Sequence, residues 1–255
     1  LLIALSHPTH SPEYTSVIYD PFGQQWRNDL LSVSPRVADS GAVSIAPDAG
    51  RVFYSAGFDD ASGMTQFVLW DVAAREIAWS ESFFSRLEGG MDGFAAWNPV
   101  DSTLALVANR RTGAEANRDE VYLVDMAFSG LMPITDLASV YGHVWIDGLA
   151  WSPNGRYLGF LVSTDSEDLN GPIGHDVYIY DGETKAVIKY CPLQGDKLLA
   201  THQSFTWSPD SRYLAYIGGY DLDAVNAEPA LVVMDVQTDK QMIIVQPARW
   251  RLAGW

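Results

Sequence analysis

Ser152 and Ser208 are the first residues to test for chemistry, because the chain writes Trp-Ser-Pro twice, at 151–153 and 207–209. A hydrolase nucleophile wants a strained Gly-x-Ser-x-Gly elbow and a partnered base. Neither serine has the flanking glycines, and both precede Pro-Asn-Gly or Pro-Asp-Ser, so their hydroxyls are expected to bond turn amides. His-Glu-x-x-His, Cys-x-x-Cys, P-loop and dinucleotide fingerprints are absent from the sequence. Two acidic tracts, Asp165-Ser-Glu-Asp168-Leu-Asn170 and Asp221-Leu-Asp223-Ala-Val-Asn226, carry the oxygen donors Ca²⁺ takes. Neither has EF-hand spacing, so each reads first as a solvated acidic loop. The expectation is no cofactor, with Ca²⁺ in an acidic loop as the minor alternative. His7-Pro-Thr-His10 lacks a third zinc ligand nearby, and Arg110, Arg111 and Arg118 form the one basic cluster.

Composition narrows the partners. Thirty-two acidic against sixteen basic residues give a formal charge of −16, which argues against nucleic acid and anionic membrane surfaces. No apolar run approaches the roughly 18 residues of a membrane-spanning helix, so direct membrane insertion is not expected. The lone cysteine, Cys191, allows no internal disulfide and reads as a packed thiol. Cysteine scarcity leaves the compartment open; a periplasmic or extracellular setting is the favoured expectation.

The elements that would position these residues follow from repetition. Gly148-Leu-Ala-Trp151-Ser-Pro-Asn-Gly155-Arg-Tyr-Leu158 is closely copied at Phe205-Thr-Trp207-Ser-Pro-Asp-Ser-Arg212-Tyr-Leu214. Looser copies stand at Phe94–Val107 and Val43–Tyr54, and Leu252–Trp255 is the first half of another. Each reads as strand, Pro-Asp/Asn turn, strand, because proline presets φ for the first central turn position. In phase with it run strands ending in Asp20, Asp71, Asp125, Asp181 and Asp235, separated by 51, 54, 56 and 54 residues. The anchors Ile45, Trp97, Trp151, Trp207 and Trp255 are separated by 52, 54, 56 and 48. Two motifs locked at one period mean units of four strands, a to d in chain order, the signature of propeller blades.

The expected fold is therefore an all-β propeller of four-stranded antiparallel blades filling residues 1–255 as one domain. The blades are 41–90, 91–143, 144–201 and 202–247, with a fifth split between 1–40 and 248–255. Because the chain stops after strand a and starts at strand b, two expectations stand. The ends pair and close a five-bladed ring, or the chain is part of a larger propeller.

Trp-Ser-Pro-Asn/Asp-Gly/Ser-Arg-Tyr-Leu, followed about thirty residues later by Val177-Tyr-Ile-Tyr-Asp181 or Leu231-Val-Val-Met-Asp235, resembles the WD-like Pro-Asp repeats of TolB-type β-propellers. The propellers of tricorn and prolyl-oligopeptidase-like peptidases carry similar repeats. The resemblance spans the chain and is most specific over 144–247. True WD repeats match less well: Trp70-Asp71 and Gly142-His143 echo them, and the other blades lack both. The resemblance implies a platform for proteins or peptides, sometimes a filter before a hydrolase; fold alone does not decide which.

In such blades the b–c and d–a loops share one end, and the a–b and c–d turns share the other. The long, varied loops fall at the b–c/d–a end, so a ligand is expected there. Its candidates are Asp165, Asp168, His175, Asp221, Asp223, Arg110, Arg111, His143 and His202. The structural anchors are Trp97, Trp151, Trp207 and Trp255, with Asp71, Asp125, Asp181 and Asp235 bonding their own turns. The functional expectation is a non-enzymatic protein- or peptide-binding or scaffold module, with no catalytic and no metal-binding residues. The alternative is the gating propeller of a serine peptidase whose hydrolase domain lies outside this chain; a subunit of a larger assembly is the third reading.

Overall fold

A left-handed residue closes the a–b hairpin in each of the four four-stranded repeats. Ala49, Ser102, Gly155 and Ser211 have φ of 57°, 57°, 71° and 61°, each just after a Pro-Asp, Pro-Val-Asp or Pro-Asn segment. The reversal is tied by Gly155 N–H donating to Ser152 O and Ser211 N–H to Ser208 O, both at 2.8 Å. The c–d turn repeats the device four residues beyond its aspartate, at Arg75, Lys185 and Asp239, with φ of 56°, 61° and 54°. Such turns join adjacent antiparallel strands and leave a meander the only local option.

The structure, a computed structural model, describes residues 3–6, 16–20, 25–27, 43–59, 62–84, 94–109, 118–124, 130–164, 176–190, 199–219 and 229–245. The chain divides into two compact units, Leu1–Asp92 with Met126–Ser129 and Gly93–Asp125 with Gly130–Trp255. In the first unit, β1 (Ile3–Ser6), β2 (Ser16–Asp20) and β3 (Gln25–Arg27) form a three-stranded sheet. The strands β4 (Val43–Ile45), β5 (Arg51–Asp59), β6 (Met64–Asp71) and β7 (Glu76–Phe84) form a four-stranded one. Phe53, Phe67 and Phe83 stack across β5, β6 and β7, with centroids 5.6 and 4.3 Å apart.

The second unit holds three four-stranded sheets. They are β8 (Ala95–Trp97), β9 (Leu104–Ala108), β10 (Glu120–Val124) and β11 (Leu131–Pro133); β12 (Val144–Trp151), β13 (Tyr157–Thr164), β14 (Asp176–Asp181) and β15 (Val187–Tyr190); and β16 (Leu199–Trp207), β17 (Tyr213–Gly219), β18 (Pro229–Asp235) and β19 (Lys240–Val245). All pairings within these sheets are antiparallel. The middle sheet is apolar on both faces, as strand alternation requires when both are covered. Leu158, Phe160, Val162, Tyr178 and Tyr180 face a core shared with Val107, Val121 and Leu123. Leu161, Val177 and Ile179 face another shared with Trp207, Leu214, Tyr216 and Val232. Sheets stacked face to face in chain order are propeller blades.

Two details depart from the expected blades. A five-residue helix, α1 (Leu137–Tyr141), interrupts the connection from β11 to β12. Strand β16 begins at Leu199 rather than at 202, and its pairing with β17 slips between Ala200 and Phe205. The proposed terminal strand and Trp255 lie outside the described residues, as does Asp125.

Candidate functional site

At the a–b/c–d end of the second unit the polar groups are closed upon one another. Ser152, fully buried, donates from Oγ to Asn154 Oδ1 at 2.7 Å and accepts from Tyr157 N–H at 2.9 Å. Ser208 repeats this with Asp210 and Tyr213. The bond from Ser208 holds the Asp210 carboxyl below the usual carboxylate range. A serine so engaged braces a turn, its hydroxyl spent on the side chain two residues on and on the amide five residues on.

The strand-end aspartates do two jobs. Asp181 Oδ1 accepts from Glu183 N–H at 2.9 Å, Asp235 Oδ1 from Gln237 N–H at 3.0 Å, and Asp71 Oδ1 from Ala74 N–H at 2.9 Å. Asp181 also receives a two-pronged grip from Arg156, Nε to Oδ1 at 3.0 Å and Nη2 to Oδ2 at 2.7 Å. Arg212 grips Asp235 Oδ2 at 3.0 and 2.7 Å. Each guanidinium also lies over the next tyrosine ring, Tyr157 at 4.9 Å and Tyr213 at 5.1 Å. The arginine bonds, assisted by the turn amides, pull both carboxyls down to about 2. The ion pair latches the a–b turn to the c–d turn, a contact between residues about twenty-five apart that local turn chemistry does not reveal.

The b–c/d–a end is built differently. Asp119 and Glu120 are both buried, where a carboxylate requires partners. Glu120 accepts from Leu137 N–H at 3.0 Å and Ala138 N–H at 2.7 Å, and from the Thr135 hydroxyl. Thr135 Oγ1 accepts in turn from Val121 N–H at 2.8 Å. Glu120 thus supplies the acceptor for the first amides of α1, a task its N-cap residue Asp136 does not perform. Gly142, at φ 80°, stops the helix. Asp119 accepts from Ile146 N–H at 3.2 Å and donates its own N–H to Val144 O at 3.1 Å, tying the 91–143 blade to the 144–201 blade.

Fixed in this way, α1 presents Val140 at 72% and Tyr141 at 42% exposure. The Tyr178 hydroxyl donates to that of Tyr141 at 3.3 Å. Lys189 Nζ lies 5.8 Å from both ring centroids and 2.6 Å from Asp176 Oδ2. Exposed His143 follows directly, in the connection to β12. What this end offers chemically is an aromatic and aliphatic surface beside an ammonium and a carboxylate, on a rigid base.

Of the expected ligand-face residues, His143 stands at this end. His202 lies within β16, in the segment where the register slips, and not in a connecting loop as the sequence suggested; the longer strand absorbs it. Asp165, Asp168, His175, Asp221, Asp223, Arg110 and Arg111 lie outside the described residues. Among the described residues no three His, Cys, Asp or Glu side chains gather as metal ligands, and no helix is long and apolar enough to cross a membrane. Sequence reasoning missed Glu120, Tyr141, Asp176 and Lys189. Asp136-Leu-Ala-Ser-Val-Tyr141-Gly142, with a cap-type residue before and glycine after, was the signal available for α1.

Stacked four-stranded meanders with Trp-Ser-Pro hairpins define a β-propeller of the kind found in TolB-like proteins and in peptidases. No family model matches the sequence, and no curated relative matches it either. Solved structures do. TolB from Acinetobacter baumannii superposes with a TM-score of 0.53 at 16% identity, over 98% of this chain and 53% of that one. Dipeptidyl peptidase 4 of Porphyromonas gingivalis gives 0.60 at 10% identity, over 96% and 40%. The tricorn protease gives 0.53 at 15% identity, over 91% and 20%. The chain thus spans about half the length of TolB. Likeness at these identities establishes the fold and leaves the activity to be argued from the site.

Proposed function

We propose that the chain is a non-enzymatic binding module that displays the b–c/d–a end of its blades to a protein or peptide segment. The contrast between its two ends carries this reading. At the a–b/c–d end the recurring serines and aspartates are spent on turns and ion pairs. At the other, buried Glu120 braces a helix whose Val140 and Tyr141 face solvent, the composition of an interaction surface. The blades fix the frame, and α1 with its neighbours makes contact.

Selection of binders from a displayed peptide library tests this. Val140→Glu and Tyr141→Ala are expected to weaken the selected peptides at least about tenfold, the loss a contact residue at an interface centre shows. Val100→Glu, on an a–b turn and 68% exposed, is expected to leave binding unchanged. Equal losses from both ends, or none from either, would overturn the assignment.

A second reading is the gating propeller of a serine peptidase, favoured by the likeness to dipeptidyl peptidase 4 and the tricorn protease, each much longer than the chain. Labelling the natural full-length polypeptide with a fluorophosphonate separates the two. A labelled serine outside residues 1–255 would select the gating reading.

A further inference from the structure

Lys189 occupies a box suited to any cation. Its ammonium meets the Asp176 carboxylate at 2.6 Å and the rings of Tyr141 and Tyr178 at 5.8 Å. Two aromatic rings and a carboxylate converging on one point is how proteins hold ammonium and guanidinium groups. Register explains the convergence. Tyr178 pairs with Lys189 across β14 and β15, and Asp176 lies two residues along, on the same face. Tyr141 arrives from α1, in the connection between two blades.

The walls and the occupant differ in exposure. Tyr178 is 4% exposed and fixed in the core, while Tyr141 is 42% exposed. The side chains of Lys189 and Asp176 are 35% and 22% exposed. Lys189 sits on an outer strand and has a flexible four-carbon stem, so it can leave the box for water without any backbone change. The chain's charge of −16 draws cations toward it.

We propose that this box recognises a cationic side chain of the bound segment, arginine above lysine, and that Lys189 is a built-in placeholder which the ligand displaces. A guanidinium would donate to the Asp176 oxygens and stack on the Tyr141 ring, using the planar fork that an ammonium lacks. The proposal deepens the peptide-binding reading and rests on it for the identity of the natural ligand. The box itself can be tested without any peptide.

Argininamide is titrated calorimetrically into the wild-type protein and Lys189→Met, with alaninamide as control. Lys189→Met is expected to bind argininamide about fivefold or more tightly than wild type, a cation–π-sized gain, and to ignore alaninamide. Adding Asp176→Asn or Tyr141→Ala should abolish the gain. No gain on Lys189→Met, or a gain that survives loss of Asp176, overturns the proposal. Should Lys189→Met fail to fold, the wild-type protein with ¹³C-labelled lysine gives the answer. Argininamide should move the Lys189 ε-carbon resonance toward that of free lysine, and an unmoved resonance at saturation overturns displacement. Peptides that bind at α1 without preferring arginine would sink this proposal alone. Argininamide binding with no peptide binding would sink the peptide reading and leave the box.

Discussion

The recurring aspartates show how one residue type serves local and distant structure together. Asp181 and Asp235 close their own turns and receive Arg156 and Arg212, which lowers both carboxyls to about 2. A group depressed on folding contributes stability that is full above its unfolded pKa of about 4 and is lost as pH falls toward 2. Asp181→Asn/Asp235→Asn is therefore expected to lower the urea midpoint at pH 7. The gap from wild type should narrow between pH 4 and pH 2, and urea titrations across that range check it. A gap constant down to pH 2 would mean that the arginine grip adds nothing to folding. Gly155 makes the complementary point about space. It sits at φ 71°, and a Cβ there would come within 2.4 Å of Asn98 Oδ1 and 2.9 Å of Val100 Cγ2. Gly155→Ala should cost about 2–4 kcal/mol, combining the left-handed penalty with overpacking, as read by chemical denaturation.

At the scale of elements, α1 is the informative case. A helix of one turn has no stability of its own, and its first amides are satisfied by Glu120 from a strand of the preceding blade. Glu120→Ala would strand these donors and the Thr135 hydroxyl, at about 1–3 kcal/mol. Hydrogen exchange localises the effect: the amides of Leu137 and Ala138 should exchange faster, while those of β17 and β18 keep their protection. Uniform acceleration would show instead that Glu120 braces the whole unit.

At the scale of the molecule, the second unit is a stack of sheets joined by a repeated indole bond. Trp151 Nε1 donates to Ala96 O and Trp207 Nε1 to Ala150 O, each at 3.1 Å, so each of these two tryptophans reaches the carbonyl just before its counterpart in the preceding blade. Asn98 Nδ2 donating to Gly155 O at 2.8 Å and Asn154 N–H donating to Ser211 Oγ at 2.9 Å link successive turns. Trp207→Phe, which removes the bond and keeps most of the ring, should cost about 1–2 kcal/mol. Trp207→Ala should cost about 3–5 kcal/mol, both measured by urea unfolding. Equal costs would show that burial alone matters and that the sheet-to-sheet bond is incidental.

Sequence by itself determined the strand order, the meander and the face-to-face repeat, because these rest on local chemistry: proline and aspartate in turns, alternation along strands, and a period of about fifty residues. The expectation of tryptophan anchors and of aspartates in their turns rests on the same local chemistry. Tertiary structure alone decided which groups distant in sequence meet. Glu120 reaches α1, Arg156 reaches Asp181, and Tyr141, Tyr178, Asp176 and Lys189 converge only once a connecting helix is pinned against the next sheet. Those contacts join residues from 11 to 48 positions apart, a separation at which no local periodicity or turn preference carries information. They form because strand pairing within a blade and stacking between blades bring the ends of strands together in space.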